Sequence, residues 1–94
     1  MQQLGHRESS VRREVVRALG SALSPAVIRA LATAARDDDD GVRLVVAEAL
    51  GPCPEPAAAD AVARLALDPN RRVALAARQW MERAAQMRPP RMKP

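Results

Sequence analysis

Residues 11–20 read VRREVVRALG and residues 42–51 read VRLVVAEALG, so six of ten positions are identical when Val11 is aligned with Val42. The same offset aligns Asp37 with Asp68, and a third copy begins at Val73. A chance match would not keep a single offset across different segments of the chain. The sequence is therefore an array of internal repeats, and each repeat is one unit of the fold.

The first helix of each repeat has a clear start signal. Ser24 is followed by Pro25, and this order is typical of a helix N-terminus because serine caps the free N–H groups and proline fits the first helical position. Val27, Leu31 and Ala34 then recur at helical spacing. The corresponding helix of the next repeat runs from Pro56, which aligns with Pro25.

The second helix of each repeat is predicted over residues 10–19 and 41–50. Gly20 and Gly51 follow these segments, and glycine is favoured just past a helix end. A last helix is expected from near Asp68, at the turn before the third copy. This pattern predicts an all-α fold of about five helices.

The composition is consistent with closely packed helices. Hydrophobic residues make up 48% of the 94 residues, yet there is one Trp and neither Phe nor Tyr, so Ala, Val and Leu must form the core. The net charge of +4 permits an acidic protein or a nucleic acid as partner. The single cysteine, Cys53, cannot form an internal disulfide and fits a reducing compartment. No apolar run approaches the roughly 18 residues that span a bilayer, so we expect a cytoplasmic protein without membrane insertion.

The pattern of Asp followed by Val-Arg-x-x-Val/Ala-x-x-Ala-Leu-Gly resembles the HEAT repeat, in the short form shared with phycobilisome-lyase-type repeat proteins. The resemblance covers about residues 9–83. It implies a short right-handed α-solenoid of HEAT-like helical hairpins with a 31-residue repeat, whose second helices line the concave side. It also implies an internal ladder of hydrogen-bonded Asp and Arg side chains. The ladder positions are Arg12, Asp37, Arg43 and Asp68.

The repeat pattern predicts three regions and two incomplete ends. Residues 1–8 are the remnant of an incomplete first repeat, 9–86 form the repeat domain, and 87–94 are a basic, Pro-rich tail. His6 stands where an Asp is expected and Ala74 where an Arg is expected, so the ladder should fade at both ends. The helix over 10–19 is left with an uncovered apolar side. Either another subunit covers it, or the chain is a piece of a longer array.

A partner-binding surface is predicted on the second helices. An apolar centre with a charged rim that includes arginine is typical of protein interfaces. The alternative is that Val45 and Leu75 pack against neighbouring first helices. The predicted partner-binding residues are Arg13, Val15, Val16, Arg17, Leu44, Val45, Glu48, Leu75 and Gln79.

Residues that suggest chemistry lack the partners that chemistry requires. The run Asp37 to Asp40 does not match the ligand spacing of a calcium-binding loop, and it is better explained as a turn whose last Asp caps the next helix. His6 is the only histidine, and Cys53 has no histidine near it in sequence to act as a base. Trp80 is expected to pack in the core, or else to be an exposed anchor for a partner. We therefore expect no enzyme activity, no metal and no cofactor.

Three functions are compatible with this sequence. The leading hypothesis is a protein-protein interaction module, a small accessory or scaffold subunit that binds another protein or self-associates. The second is nucleic-acid backbone binding through Arg-rich helices, which the lack of stacking aromatics makes unlikely. The third is a chaperone-like or lyase role on a bilin, by resemblance to bilin lyases, although so few repeats leave little room for a tetrapyrrole.

Overall fold

The computed structural model describes residues 8–87, and these residues form five helices. They are α1 (Ser9–Gly20), α2 (Pro25–Ala34), α3 (Asp40–Leu50), α4 (Pro56–Leu65) and α5 (Arg71–Met87). The predicted all-α fold of five helices is confirmed. Met87, assigned above to the tail, is the last residue of α5. The proposed remnant before Glu8, with His6, and the rest of the tail lie outside the described residues.

Polar side chains determine where the helices begin. The Ser24 hydroxyl accepts a hydrogen bond from Val27 N–H at 3.3 Å, as the start signal predicts. Asp39 accepts from Val42 N–H at 2.9 Å, so Asp39 is the cap of α3. The expectation that the last Asp of the run caps this helix was wrong. Asn70, the counterpart of Asp39 in the next repeat, accepts from Val73 N–H at 3.2 Å. Because Asn70 caps α5, that helix begins at Arg71 instead of near Asp68.

The helices stack as repeating hairpins. The second helices α1, α3 and α5 lie side by side in that order, and α2 packs against α1, α3 and α4. The first helix α4 packs in turn against α2, α3 and α5. Equivalent helices are neighbours in this arrangement, as in a solenoid, where each repeat contacts only the adjacent repeats.

The core consists of small aliphatic side chains, and it includes two residues that were assigned to the partner surface. Val16 is 0% exposed and Val45 is 5% exposed, so their assignment to a partner surface was wrong. The burial of Val45 agrees with the alternative that it packs inside the stack, whereas Leu75, named in the same alternative, is 52% exposed. The reason is that α3 is covered by α1, α2, α4 and α5, so more than one of its sides is buried. The largest fully buried side chains are Leu31, Leu50, Val16, Val42, Val46 and Val73.

Two glycines allow neighbouring second helices to approach closely. A Cβ on Gly20 would lie 2.9 Å from the Cβ of Ala49, and a Cβ on Gly51 would overlap the indole of Trp80. Gly51 has a helical φ of −52°, and no described residue has a positive φ. The glycines are therefore required for packing, and not for the left-handed conformation that often ends a helix.

We expect Gly51→Ala to lower the free energy of unfolding by about 1–3 kcal/mol, because the added methyl group must displace a packed indole. Urea unfolding followed by circular dichroism would measure this loss. Trp80→Leu provides the matched background. In that background the same glycine substitution should lower the free energy of unfolding much less. An equal cost in both backgrounds would contradict the proposed Gly51–Trp80 contact.

Candidate protein-interaction surface

The first ladder pair joins α1 to the turn before α3. Arg12 Nε donates to Asp37 Oδ2 at 2.8 Å and Nη2 donates to Oδ1 at 3.0 Å, which is a bidentate pair. The same Asp37 carboxylate accepts from Asp39 N–H at 2.9 Å. Arg12 thus holds the turn that supplies the N-cap of α3.

The second ladder pair repeats this geometry and adds backbone contacts. Arg43 Nε donates to Asp68 Oδ2 at 2.8 Å and Nη2 donates to Oδ1 at 3.2 Å. Its Nη1 donates to the carbonyl oxygens of Asp37 at 2.8 Å and Asp38 at 3.1 Å. One guanidinium therefore connects two consecutive turns. Asp68 also accepts from Asn70 N–H at 2.8 Å, and Ala74, in the next arginine position, is buried.

The ladder shifts the pKa values of its members. The hydrogen bond to Asp37 raises the pKa of Arg12, and the hydrogen bond to Asp68 raises that of Arg43. Burial alone would raise the pKa of Asp68, but the bonds from Arg43 and from Asn70 N–H hold it below its ordinary value. Asp39 shows the same balance. Burial opposes ionisation, while Val42 N–H and the Arg13 guanidinium lower its pKa overall.

Six of the predicted partner-binding residues form an ordered array, which we call the second-helix face. On each second helix, two of them are four residues apart and so share one side. Because α1, α3 and α5 are adjacent and related by the repeat, these sides adjoin. The first row is Arg13, Leu44 and Leu75, and the second row is Arg17, Glu48 and Gln79.

The character of the second-helix face changes along the stack. At the α1 end, Arg13 is paired with Asp39 at 3.1 Å, and Arg17 is paired with the exposed Glu14 at 2.8 Å. One repeat later Leu44 replaces the arginine, and the equivalent cap is the neutral Asn70. At the α5 end Leu75 is 52% exposed. The face therefore carries two ion-paired arginines on α1 and the exposed Leu75 beside Gln79 on α5.

The remaining residues lie elsewhere. Val15 is half-buried on another side of α1, and Val16 and Val45 are in the core.

Trp80 is half-buried against the core, as expected, and Arg83 lies over its ring at 5.1 Å from the centroid. The sequence reasoning did not identify the Arg13–Asp39 pair. The available signal was that both members of the pair change together one repeat later, where Leu44 replaces Arg13 and the neutral Asn70 replaces Asp39.

An open groove of about 660 Å³ lies beside the turns that follow α1 and α3. Its lining includes Leu23, Ile28, three prolines and the half-buried Cys53. The polar side chains in its lining are those of Ser24, Arg29 and Glu55. Among residues 8–87, no group of His, Cys, Asp or Glu is placed to hold a metal ion.

No helix in the described part of the chain is both long and apolar enough to cross a bilayer.

The repeat geometry agrees with the comparison against known families. A family model of HEAT repeats matches residues 1–82, which is most of the chain. The protein therefore belongs to the HEAT repeat family, whose members commonly mediate protein-protein interaction. No curated protein matches the sequence.

The lowered pKa values of Asp39 and Asp68 predict acid sensitivity. An unfolded aspartate has a pKa of about 3.9, so both carboxylates stabilise the fold fully above that pH. This stabilisation is lost as the pH falls through their lower folded values. We expect the free energy of unfolding, measured by urea titration across pH, to decrease below about pH 4.

Asp68→Asn should be less stable than the wild type by about 1–3 kcal/mol at pH 7, with a shallower loss of stability in acid. Asp38→Asn, in an exposed position of the same acidic run, is the matched control and should keep the wild-type profile. An unchanged acid profile in Asp68→Asn would show that the ladder does not cause the pH dependence.

Proposed function

We propose that this protein is a non-enzymatic interaction module that binds another protein through the second-helix face. In this proposal it is a small accessory or scaffold subunit of a cytoplasmic complex. The observation that carries the proposal is the ordered array of six residues, with exposed Leu75 on α5 and Arg17, in an exposed ion pair, on α1. Exposed apolar side chains beside arginine are typical of binding surfaces.

The proposed partner has a surface that complements this array. An apolar side chain of the partner would cover Leu75 and the half-buried Leu44. An acidic group would face Arg17, whose bond to exposed Glu14 is a surface pair that contributes little and exchanges easily. Such a partner would be a protein with an apolar patch beside a carboxylate.

Nucleic-acid binding receives less support from the contacts. Arg12 and Arg13, which would supply phosphate contacts on α1, are each paired with an aspartate, at 2.8 and 3.1 Å. On α3 the equivalent face carries Leu44 and Glu48. Phosphate binding would have to break these pairs and place a glutamate beside the nucleic-acid backbone.

The test compares two leucines of equal chemistry. Leu75→Asp introduces a charge on the second-helix face, while Leu67→Asp does so in the turn after α4, where the side chain is 81% exposed. Both variants should fold, because surface substitutions usually change stability little. The tagged wild type and both variants would be expressed at low level in the native host, and captured complexes analysed by native mass spectrometry.

We expect one stoichiometric protein partner that binds about 30-fold more weakly to Leu75→Asp and normally to Leu67→Asp, since a central apolar contact is worth about 2 kcal/mol. Loss with neither variant, or with both, would reject the second-helix face. Captured nucleic acid whose binding falls steeply with added salt would instead support the nucleic-acid function.

A further inference from the structure

The open groove at the turns after α1 and α3 is separate from the second-helix face, and we call it the first-junction groove. Gly20 and Ala49, which meet where α1 and α3 approach each other, both line it. Leu23 and the buried Ile28 add an apolar wall, and Cys53 lies among the prolines of the lining. None of the six residues of the second-helix face belongs to this lining. A volume of about 660 Å³ is enough to hold a large side chain.

The next repeat shows which side chain such a place accepts. The repeat aligns Gly20 with Gly51 and Ala49 with Trp80. At that second junction the indole of Trp80 lies against Gly51 and is half-buried against the core. Because Ala49 and Trp80 occupy the same position of equivalent helices, a ring beside Ala49 would lie next to Gly20. The first junction therefore offers the same glycine surface but carries only a methyl group.

The chain has no second ring with which to fill the first-junction groove. Trp80 is its single Trp, and the 94 residues include neither Phe nor Tyr. A tryptophan buries about 150–250 Å² of surface, which suits an open groove with an apolar wall. Tryptophan is also enriched among the residues that contribute most to the affinity of protein interfaces. A tryptophan of another protein is therefore the occupant that the repeat itself indicates.

Two charged side chains define what should flank this ring. Arg29 on α2 and Glu55 before α4 both line the groove and are exposed. Within residues 8–87 neither takes part in an ion pair. An arginine in this setting attracts a carboxylate, and it can also lie over a ring, as Arg83 lies over Trp80. Glu55 correspondingly favours a basic group, so the two charges select a segment that carries both signs.

We propose that the first-junction groove binds a tryptophan side chain of a partner protein, with an acidic residue of the partner at Arg29 and a basic residue at Glu55. The ring lies beside Ala49 as the indole of Trp80 lies on Gly51. This proposal rests on the proposed interaction function. It adds a second contact site and the chemistry of the segment that binds there.

The probe is a capped pentapeptide with tryptophan at its centre, aspartate at one end and lysine at the other, separated by glycines. Cys53 is the only cysteine of the chain and lines the groove, so the rate of its alkylation by iodoacetamide reports occupancy. We expect the peptide to slow alkylation of the full chain at least about fivefold, with a half-maximal effect below about 1 mM. In a ¹⁵N-labelled sample, the amide shifts should concentrate on Gly20, Ala49 and Cys53.

Two altered peptides test the ring and the charge. Replacing the tryptophan by alanine should weaken binding at least about tenfold, because burial of the ring supplies most of the affinity. Replacing the aspartate by asparagine should weaken binding to the wild type about threefold, because the lost ion pair is exposed to solvent. The Arg29→Gln variant should bind the aspartate and asparagine peptides equally, which assigns the acidic residue to Arg29.

Substitutions in the protein test the location. Ala49→Trp places an indole in the position that Trp80 has one repeat later, so this variant should fold, protect Cys53 without peptide and bind no peptide. Ala57→Glu adds bulk and charge at an exposed position of the lining and should weaken peptide binding at least about threefold. Ala59→Glu, exposed on the same helix but outside the lining, is the matched control and should bind normally.

The proposed function and this proposal can fail separately, because Leu75→Asp on the second-helix face should bind the peptide normally. Unchanged alkylation at about 3 mM peptide would overturn the proposal, as would equal binding of the tryptophan and alanine peptides. Equal binding to the folded Ala57→Glu and Ala59→Glu variants would show that the ring lies outside the groove. An asparagine peptide that binds the wild type as well as the aspartate peptide does would reject the acidic residue at Arg29.

Discussion

The bidentate arginine–aspartate pair between consecutive turns is the contact on which the stack depends. Arg43 binds the Asp68 carboxylate and two carbonyl oxygens of the preceding turn, so it fixes both the distance and the register of neighbouring repeats. The bound aspartates also accept N–H groups at the starts of the following helices. Partly buried ion pairs add little net stability, because desolvation offsets much of their attraction. Their effect here is to select a single alignment of helices whose small apolar side chains could slide past one another.

That alignment explains how a core without Phe or Tyr can pack densely. Small side chains fill space only when the backbones are close, and Gly20 and Gly51 allow this approach at each junction of second helices. At the first junction the partner is Ala49, while at the second it is the larger Trp80. The single aromatic ring thus occupies a place where the missing Cβ of a glycine leaves room for it. On α5 the residue equivalent to Gly20 and Gly51 is Glu82. This end of the stack therefore presents polar or exposed residues, as do the polar ends of other solenoids.

The sequence predicted the fold well because the repeat carries its own register. The constant offset that aligns Asp37 with Asp68 predicts the number of helices, and the resemblance to the HEAT repeat adds the ladder of arginine and aspartate side chains. It did not predict which sides of α3 are buried, since the spacing of Val42, Val46 and Leu50 suggests one apolar side. Val45 is buried as well because α3 has neighbours on several sides. Four consecutive aspartates likewise offer several caps, and only the backbone geometry selects Asp39.

The contacts of α1 show that ion pairs position a helix more than they stabilise it. Two arginine–aspartate pairs, from Arg12 and Arg13, hold α1 to the turn before α3. Ion pairs that are partly exposed to solvent contribute little net stability, because water screens their attraction. Covering a half-exposed valine or leucine recovers a large part of the 1.5–3 kcal/mol available for full burial of such a side chain, as a rough estimate. The ion pairs therefore position α1 without replacing the apolar contacts that α2 gives α3.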